Sequence, residues 1–347
     1  RVTHMAATST SSLSSLVLLC LSASLPTHVS ARVVAFTGGK YEGWETWNWN
    51  TITDLGFWTA PNDEIRSLAK QNNVRLFQTA HLPDRKEWLD SDKRAAFAAE
   101  KAQHVVNSSL DGLFFDFEGT GLGSKEKEAY TKLAEAVSDA LRPLNASIFV
   151  CVGASPSYEF RNYDYAGLAN TSDFLFIMGY DAHFWDDYTC VTKGTCSPAE
   201  APMKDILKGV EGYVKDVKKE KLVLGLPWYG QRYTEVLLPF NQGQIDYKDV
   251  LENVVNITGR VKKREMDKTA KSWVLHCHGA CMDGKKGEVI WYDDAETLKP
   301  KYQIAKDHGL LGVGMWAVDK LPIPNGSDDP FKSEREAMWN AITNWNK

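Results

Sequence analysis

Residues 110–121 read LDGLFFDFEGTG, an apolar run that carries Asp111, Asp116 and Glu118 and ends in glycine. An ionised carboxylate in a buried strand is costly unless it is paired or protonated, so acids at the end of such a strand point to chemistry or to a hydrogen-bond network. Successive strand side chains alternate between faces, so Asp116 and Glu118 share one face with their Cα atoms about 6.7 Å apart. Crowded on one side, the two cannot both ionise easily, and the expectation is that Glu118 keeps a proton under the influence of Asp116.

Seven further runs resemble this one: 33–37 (VVAFT), 54–59 (DLGFWT), 74–80 (VRLFQTA), 147–152 (SIFVCV), 174–180 (FLFIMGY), 222–227 (LVLGLP) and 312–318 (GVGMWAV). Helical periodicity separates them, most clearly over 124–141, where Ala129, Leu133, Val137 and Leu141 recur every four residues, Ser124 is the expected cap and Pro143 the stop. Other helices are expected over 62–72, 92–106, 203–220, 295–308 and 329–345. Strands apolar on both faces and alternating with helices predict an α/β fold, a (β/α)8 TIM barrel, with a doubly wound open sheet as the other arrangement. Residues 229–286 are polar and weakly periodic and are assigned to an insertion after the seventh strand.

Residues 1–31 stand apart. After Arg1–His4, which have the look of an extended reading frame, Met5 opens a Ser/Thr/Ala-rich segment with an apolar run from Leu16 to Leu25 and a small-residue cleavage pattern, Val29-Ser30-Ala31. A run of about ten residues falls short of the ~20 that span a bilayer, so the segment reads as a signal peptide, and the barrel domain is expected over 32–347. A secretory route suits the Asn-X-Ser/Thr sequons at Asn107, Asn145, Asn170, Asn256 and Asn325. It also suits disulfides, expected as Cys190 with Cys196 and Cys277 with Cys281, although four cysteines allow three pairings; Cys151, in an apolar run, is expected to be a free core thiol. A metal site at His276, Cys277, His278 and Cys281 is the lesser reading. A formal net charge of −5 without a basic block offers no footprint for nucleic acid or an anionic membrane.

The acids also constrain the reaction. Ordinary glycosidases place carboxyls on opposite sides of the sugar, whereas two acids on one strand approach from one side; the substrate-assisted exception uses the acetamido oxygen of an N-acetyl sugar as nucleophile.

The motifs together resemble glycoside hydrolase family 18, the chitinase and chitobiase group, and lie nearest its chitobiase branch. Asp111-Gly112 followed by Asp116-Phe117-Glu118 matches the strand-four signature, Met178-Gly179-Tyr180-Asp181 the strand-six pattern, Pro227-Trp228-Tyr229-Gly230 the strand-seven pattern, and Trp316 the strand-eight tryptophan. The resemblance implies a retaining hydrolase with Glu118 as acid and then base, Asp116 orienting the acetamide, Tyr180 donating to its carbonyl and Trp316 flooring the sugar. Asp181, Trp228 and Tyr229 are implied as substrate-binding groups; His81 and His183 are expected to be ordinary rim residues. Phe114 departs from the family, standing where an Asp or Asn is usual, so Asp116 is expected to lack a hydrogen-bond partner. The third strand ends FQTAHL without glycines, against a long chitin groove.

The expected activity is exo-acting hydrolysis of β-1,4 bonds between N-acetylglucosamine units, by a monomer, with no metal or organic cofactor and no nucleic-acid or membrane partner. A chitin-binding lectin and an endo-acting chitinase on the same fold are the alternatives. Lysosomal residence is implied by resemblance alone, with an extracellular destination as the other endpoint.

Overall fold

The structure, a computed structural model, describes residues 31–181, 199–234, 240–279, 281–282, 288–324 and 329–345. Eight parallel strands close into a barrel: β1 (Arg32–Phe36), β2 (Asp54–Phe57), β3 (Arg75–Thr79), β4 (Gly112–Phe115), β5 (Ser147–Val152), β6 (Leu175–Met178), β7 (Leu222–Pro227) and, last in the chain, β13 (Gly312–Trp316). The last strand lies between β1 and β7 and shuts the barrel, so the open-sheet alternative is excluded. These are the eight runs the sequence marks.

Two cores result from the alternation along each strand. Leu113 and Phe115 of β4 face outward to the helices, while Phe114 points inward to a cluster with Phe36, Phe77, Phe149 and Phe176. The rings need space that only glycine leaves: a Cβ on Gly225 would come within 2.1 Å of the Phe176 ring. Phe114 stacks on Phe149 at 5.4 Å and meets Phe36 edge-on at 5.3 Å, so the barrel centre is a packed aromatic plug.

The helix Ser124–Leu141 runs as the periodicity predicts and buries Ala129, Leu133, Val137 and Leu141. Its cap differs: Ser124 is already helical, and the Gly123 N–H donates to Glu126 Oε2 at 3.0 Å. The helix expected over 203–220 stops at Tyr213.

Between β7 and the helix Ala295–Asp307, the chain builds a five-stranded antiparallel sheet from β8 (Tyr229–Thr234), β9 (Phe240–Asp246), β10 (Val261–Asp267), β11 (Ser272–Cys277) and β12 (Glu288–Tyr292), in the order β10-β11-β12-β8-β9. Here the weakly periodic insertion has its own architecture. It is tied to the barrel by the buried Lys301, whose ammonium donates to Asp293 Oδ1 at 2.5 Å and Ser272 Oγ at 2.9 Å.

Cys277 and Cys281 are bonded, which removes both thiolates from any metal site, and Cys151 is a buried free thiol. Cys190, Cys196, His183 and Asn325 lie outside the described residues. The other four sequon asparagines are exposed. Among the described residues no helix is long and apolar enough to cross a membrane.

Candidate active site

Asp111 and the two acids that follow it serve opposite ends of the barrel. Asp111 precedes β4 and accepts the Leu76 N–H at 2.8 Å, a structural bond at the N-terminal rim. Asp116 and Glu118 follow β4 at its C-terminal end, where barrel enzymes carry their chemistry. There they line a cavity of about 310 Å³ together with Phe36, Trp58, Cys151, Met178, Tyr180, Asp181, Gln244 and Trp316.

Their environments differ sharply. Asp116 stands two residues beyond Phe114 on the same inward face. Its Oδ1 is buried with no hydrogen-bond partner among the described residues. Burial, helped by the charge of Glu118 and opposed by Arg161, pushes its carboxyl up to about 7. The Glu118 side chain is 56% exposed and accepts from the Arg161 guanidinium at 2.9 Å. The proton expected on Glu118 is therefore held on Asp116, the acid that is both deeper and farther from the cation. The absent partner expected from Phe114 is what the structure shows.

An aromatic wall faces the acids. Trp316, half-buried at the end of β13, meets Trp58 edge-on at 5.1 Å, and Phe36 lies 5.8 Å from each. Indole faces suit the apolar side of a sugar ring, and their N–H groups suit its hydroxyls. Trp58 is fixed from behind: its carbonyl accepts from Gln78 Nε2 at 3.1 Å, and Gln78 Oε1 lies 2.9 Å from His104 Nε2.

On the opposite side Tyr180 is buried, and burial raises its phenol, so it is a proton-bearing donor at neutral pH. Asp181 adopts the left-handed backbone region, φ 51°. Its Oδ1 accepts from the Tyr229 hydroxyl at 2.7 Å, its carbonyl from the Tyr158 hydroxyl at 2.8 Å, and its own N–H donates to Glu200 Oε2 at 3.3 Å. Glu200 is almost wholly buried; desolvation and a hydrogen bond to the Asp181 carboxyl keep it protonated well above the ordinary range.

The implied substrate-binding pair from β7 and β8 moves elsewhere. Trp228 is fully buried, donating to the Tyr302 hydroxyl at 3.2 Å and packing edge-on against Trp339 at 5.2 Å, behind the strands and away from the cavity. Tyr229 is also fully buried and reaches the site through Asp181. Exposed His81 follows β3 and does not line the cavity.

Sequence reasoning missed Trp58, Arg161, Glu200 and Gln244. Trp58 had a signal: Gly56 of β2 faces inward, since a Cβ there would meet Phe36, and Trp58, two residues on and just past the strand end, packs against the same inner cluster. Gln244 arrives on β9 of the insertion, opposite Gln231. Arg161 and Glu200 sit in connections with no periodic pattern.

Residues 76–320 match the family described as glycosyl hydrolases family 18. A probable di-N-acetylchitobiase 1 of Dictyostelium discoideum is 28% identical over 87% of this chain and 85% of its own length, and a di-N-acetylchitobiase of Mus musculus is 27% identical over 90% and 87%. The crystal structure of the Ostrinia furnacalis Group IV chitinase shares the fold, with a TM-score of 0.71 at 15% identity, covering 91% of this chain and all of that one.

Proposed function

Because the chain belongs to glycosyl hydrolases family 18 and is a glycoside hydrolase of chitinase-like type, we propose that it is an exo-acting enzyme that cleaves the β-1,4 bond between N-acetylglucosamine units in short oligosaccharides, including the chitobiose core of N-linked glycans, with retention of configuration. The observation that carries the reading is Asp116, with a buried and unpartnered Oδ1, beside an ion-paired Glu118 at one side of a small aromatic-walled cavity.

In this mechanism Asp116 passes its proton to the Glu118 carboxylate and becomes the acceptor for the acetamide N–H. Glu118 then protonates the glycosidic oxygen as the acetamido oxygen attacks the anomeric carbon: one C–O bond breaks and one forms, giving a cyclic oxazolinium. Tyr180 donates to the acetamido oxygen, and Trp316 and Trp58 cover the apolar ring face. Glu118 next takes a proton from water, whose oxygen opens the ring at the anomeric carbon; the second inversion returns the original anomer.

Exo action is supported by size, since ligand sites run from about 300 to 1,000 Å³ and this cavity lies at the lower end. A secretory route ending in the lysosome or outside the cell, with glycans on the exposed sequons, belongs to the same proposal. The deciding experiment follows a reducing-end-labelled N-acetylglucosamine tetramer by NMR. β-Configured products released one unit at a time are expected. An inverted product, or equal cleavage of an analogue without its acetamido group, removes the substrate-assisted mechanism; internal cleavage removes exo action.

A further inference from the structure

Among the described residues at the mouth of the barrel, Arg161 has the features of a device aimed at the reaction. It lies just after the short 3-10 turn Tyr158–Phe160 in the connection that follows β5, and its side chain is 2% exposed. Burying a guanidinium carries a desolvation penalty, which structural ion pairs offset by burying a well-bonded partner beside it. One partner here, Glu118, is 56% exposed and faces the cavity. A buried cation paired to an open acid is well suited to presenting that carboxyl to a ligand.

The segment around Arg161 is built as a strap across the end of β4. Phe160 and Asn162 both occupy the left-handed region, φ 53° and 52°, on either side of it. That region is unfavourable for residues other than glycine, and Phe160, 78% exposed, recovers none of the cost by burying its ring. The compensation comes from the acidic strand end. The Gly121 N–H donates to the Phe160 carbonyl at 3.1 Å, Asn162 Nδ2 to the Leu122 carbonyl at 3.0 Å, and the Tyr163 hydroxyl to the Phe117 carbonyl at 2.6 Å. The guanidinium itself lies over the Tyr158 ring at 5.2 Å, and the Tyr158 hydroxyl holds the Asp181 carbonyl.

We propose that Arg161 is a positioning residue for the hydrolysis: its strapped, buried guanidinium aims the Glu118 carboxyl into the cavity beside Asp116. The inference rests on the reading of Glu118 as the acid. Around this pair the titratable and charged neighbours are Asp116 just past β4, Cys151 from β5, Tyr130 from the helix Ser124–Leu141, Tyr158 and Tyr163 from the strap, Tyr165 from the helix Tyr165–Thr171, Tyr213 from the helix Met203–Tyr213 and Arg85 from the helix Arg85–Trp88. Across the cavity stand Tyr180 and Asp181. Every one of these near neutrality is uncharged or acidic except Arg85, which donates to the Thr120 carbonyl at 3.1 Å, so Arg161 is the cation in contact with Glu118.

The test compares wild type, Arg161→Lys and Arg161→Met across pH on a labelled N-acetylglucosamine disaccharide. Arg161→Met is expected to lower kcat about tenfold with little change in KM, because aim is lost while the walls of the site remain. Without the cation the acids hold their proton longer, and the alkaline limb of kcat/KM is expected to move up by about one pH unit. Arg161→Lys, which keeps the charge, is expected to restore the limb and part of kcat. A limb that stays in place in Arg161→Met, or a lysine variant no better than the methionine one, overturns the proposal. If the wild type does not turn the disaccharide over, the functional reading fails, and the same proteins still decide the clamp. A carbon-13 carboxyl titration assigned with Glu118→Gln is then expected to show the Glu118 signal titrating at higher pH in Arg161→Met, and an unmoved signal rejects it.

Discussion

The two ends of the barrel treat buried acids in opposite ways. At the N-terminal rim Asp54 is fully buried, yet its Oδ1 receives Arg75 at 2.6 Å, Arg32 stands 3.7 Å from its Oδ2, and Thr53 donates to it at 2.5 Å. Arg75 continues to Asp173 at 2.9 Å, which also accepts from Ser147. At the C-terminal rim Asp116 is half-buried with its Oδ1 shut away from solvent, and the aromatic plug beneath it supplies nothing to donate. Burial with partners fixes a strand in place. Burial without them stores a proton, and a proton held near neutral pH is useful only where something is to receive it.

Removing the acids at the C-terminal rim is expected to give the largest effect. Glu118→Gln is expected to lose roughly 10²–10⁴ in kcat, the usual value of a positioned acid, with the fold retained. Steady-state turnover alongside a melting curve checks both halves. A variant retaining full activity would place the acid elsewhere.

The contrast sharpens when one substitution is made at each end. Asp54→Asn leaves two arginines facing a neutral amide and is expected to cost about 3 kcal/mol of stability while kcat is unchanged, since the lost group only braces strands. Asp116→Asn is expected to do the reverse: activity falls severely and stability at pH 7 does not fall. The sign follows from linkage. The folded carboxyl keeps its proton to about 7 and the unfolded one releases it near 3.8, so between those values the native state binds more protons. Stability must then decline as pH rises through that window and level off above it. Denaturant melts from pH 4 to 8 should show this slope in the wild type and its loss in Asp116→Asn. Parallel curves would mean that Asp116 is not the proton-bearing acid.

How far these residues were readable depended on whether a regular element delivers them. Asp116, Glu118, Tyr180 and Trp316 end barrel strands, so period-two alternation and strand order suffice to bring them together. The same alternation says that the neighbours Trp228 and Tyr229 cannot both face the cavity, and neither does: one fills the space behind the sheet and the other braces Asp181. Arg161 reaches Glu118 across 43 positions, and Glu200 reaches Asp181 across 19, through connections whose course no local pattern encodes. The insertion hid its five strands because β10, Val261–Asp267, leaves most of its side chains half-buried or exposed, which blurs the apolar signal. Which of the two strand-end acids holds the proton also depended on what lies below and beside them, Phe114 for one and Arg161 for the other.

Phe114→Asn would give the catalytic rim what the other rim already has. An amide donor beneath Asp116 can reach the solitary Oδ1 and favours the ionised carboxyl, so Asp116 should titrate below its present value of about 7. The alkaline limb of kcat/KM is expected to move down by roughly one pH unit, and packing lost against Phe36, Phe149 and Trp58 should cost about 2–3 kcal/mol. An unmoved limb would separate Asp116 from the residue below it.

The smallest effect is expected at Glu200, where the catalytic rim contains a partnered acid of its own. Burial keeps the proton on Glu200, which hydrogen-bonds the Asp181 carboxyl, with the Tyr229 hydroxyl as a second donor to Asp181. While Glu200 keeps its proton the two carboxyls attract; once it leaves, like charges repel and Asp181 loses its place on the cavity wall. Glu200→Gln substitutes a fixed amide donor for the labile proton. Near neutral pH it should therefore change kcat/KM by no more than about threefold. Above the point where the wild-type pair ionises, the variant should keep a KM that the wild type loses, and a pH series of KM reads the crossover directly. If the two KM curves stay parallel into alkaline solution, the pair is only a structural bond, and the distinction between partnered and solitary acids would hold at both ends of the barrel without exception.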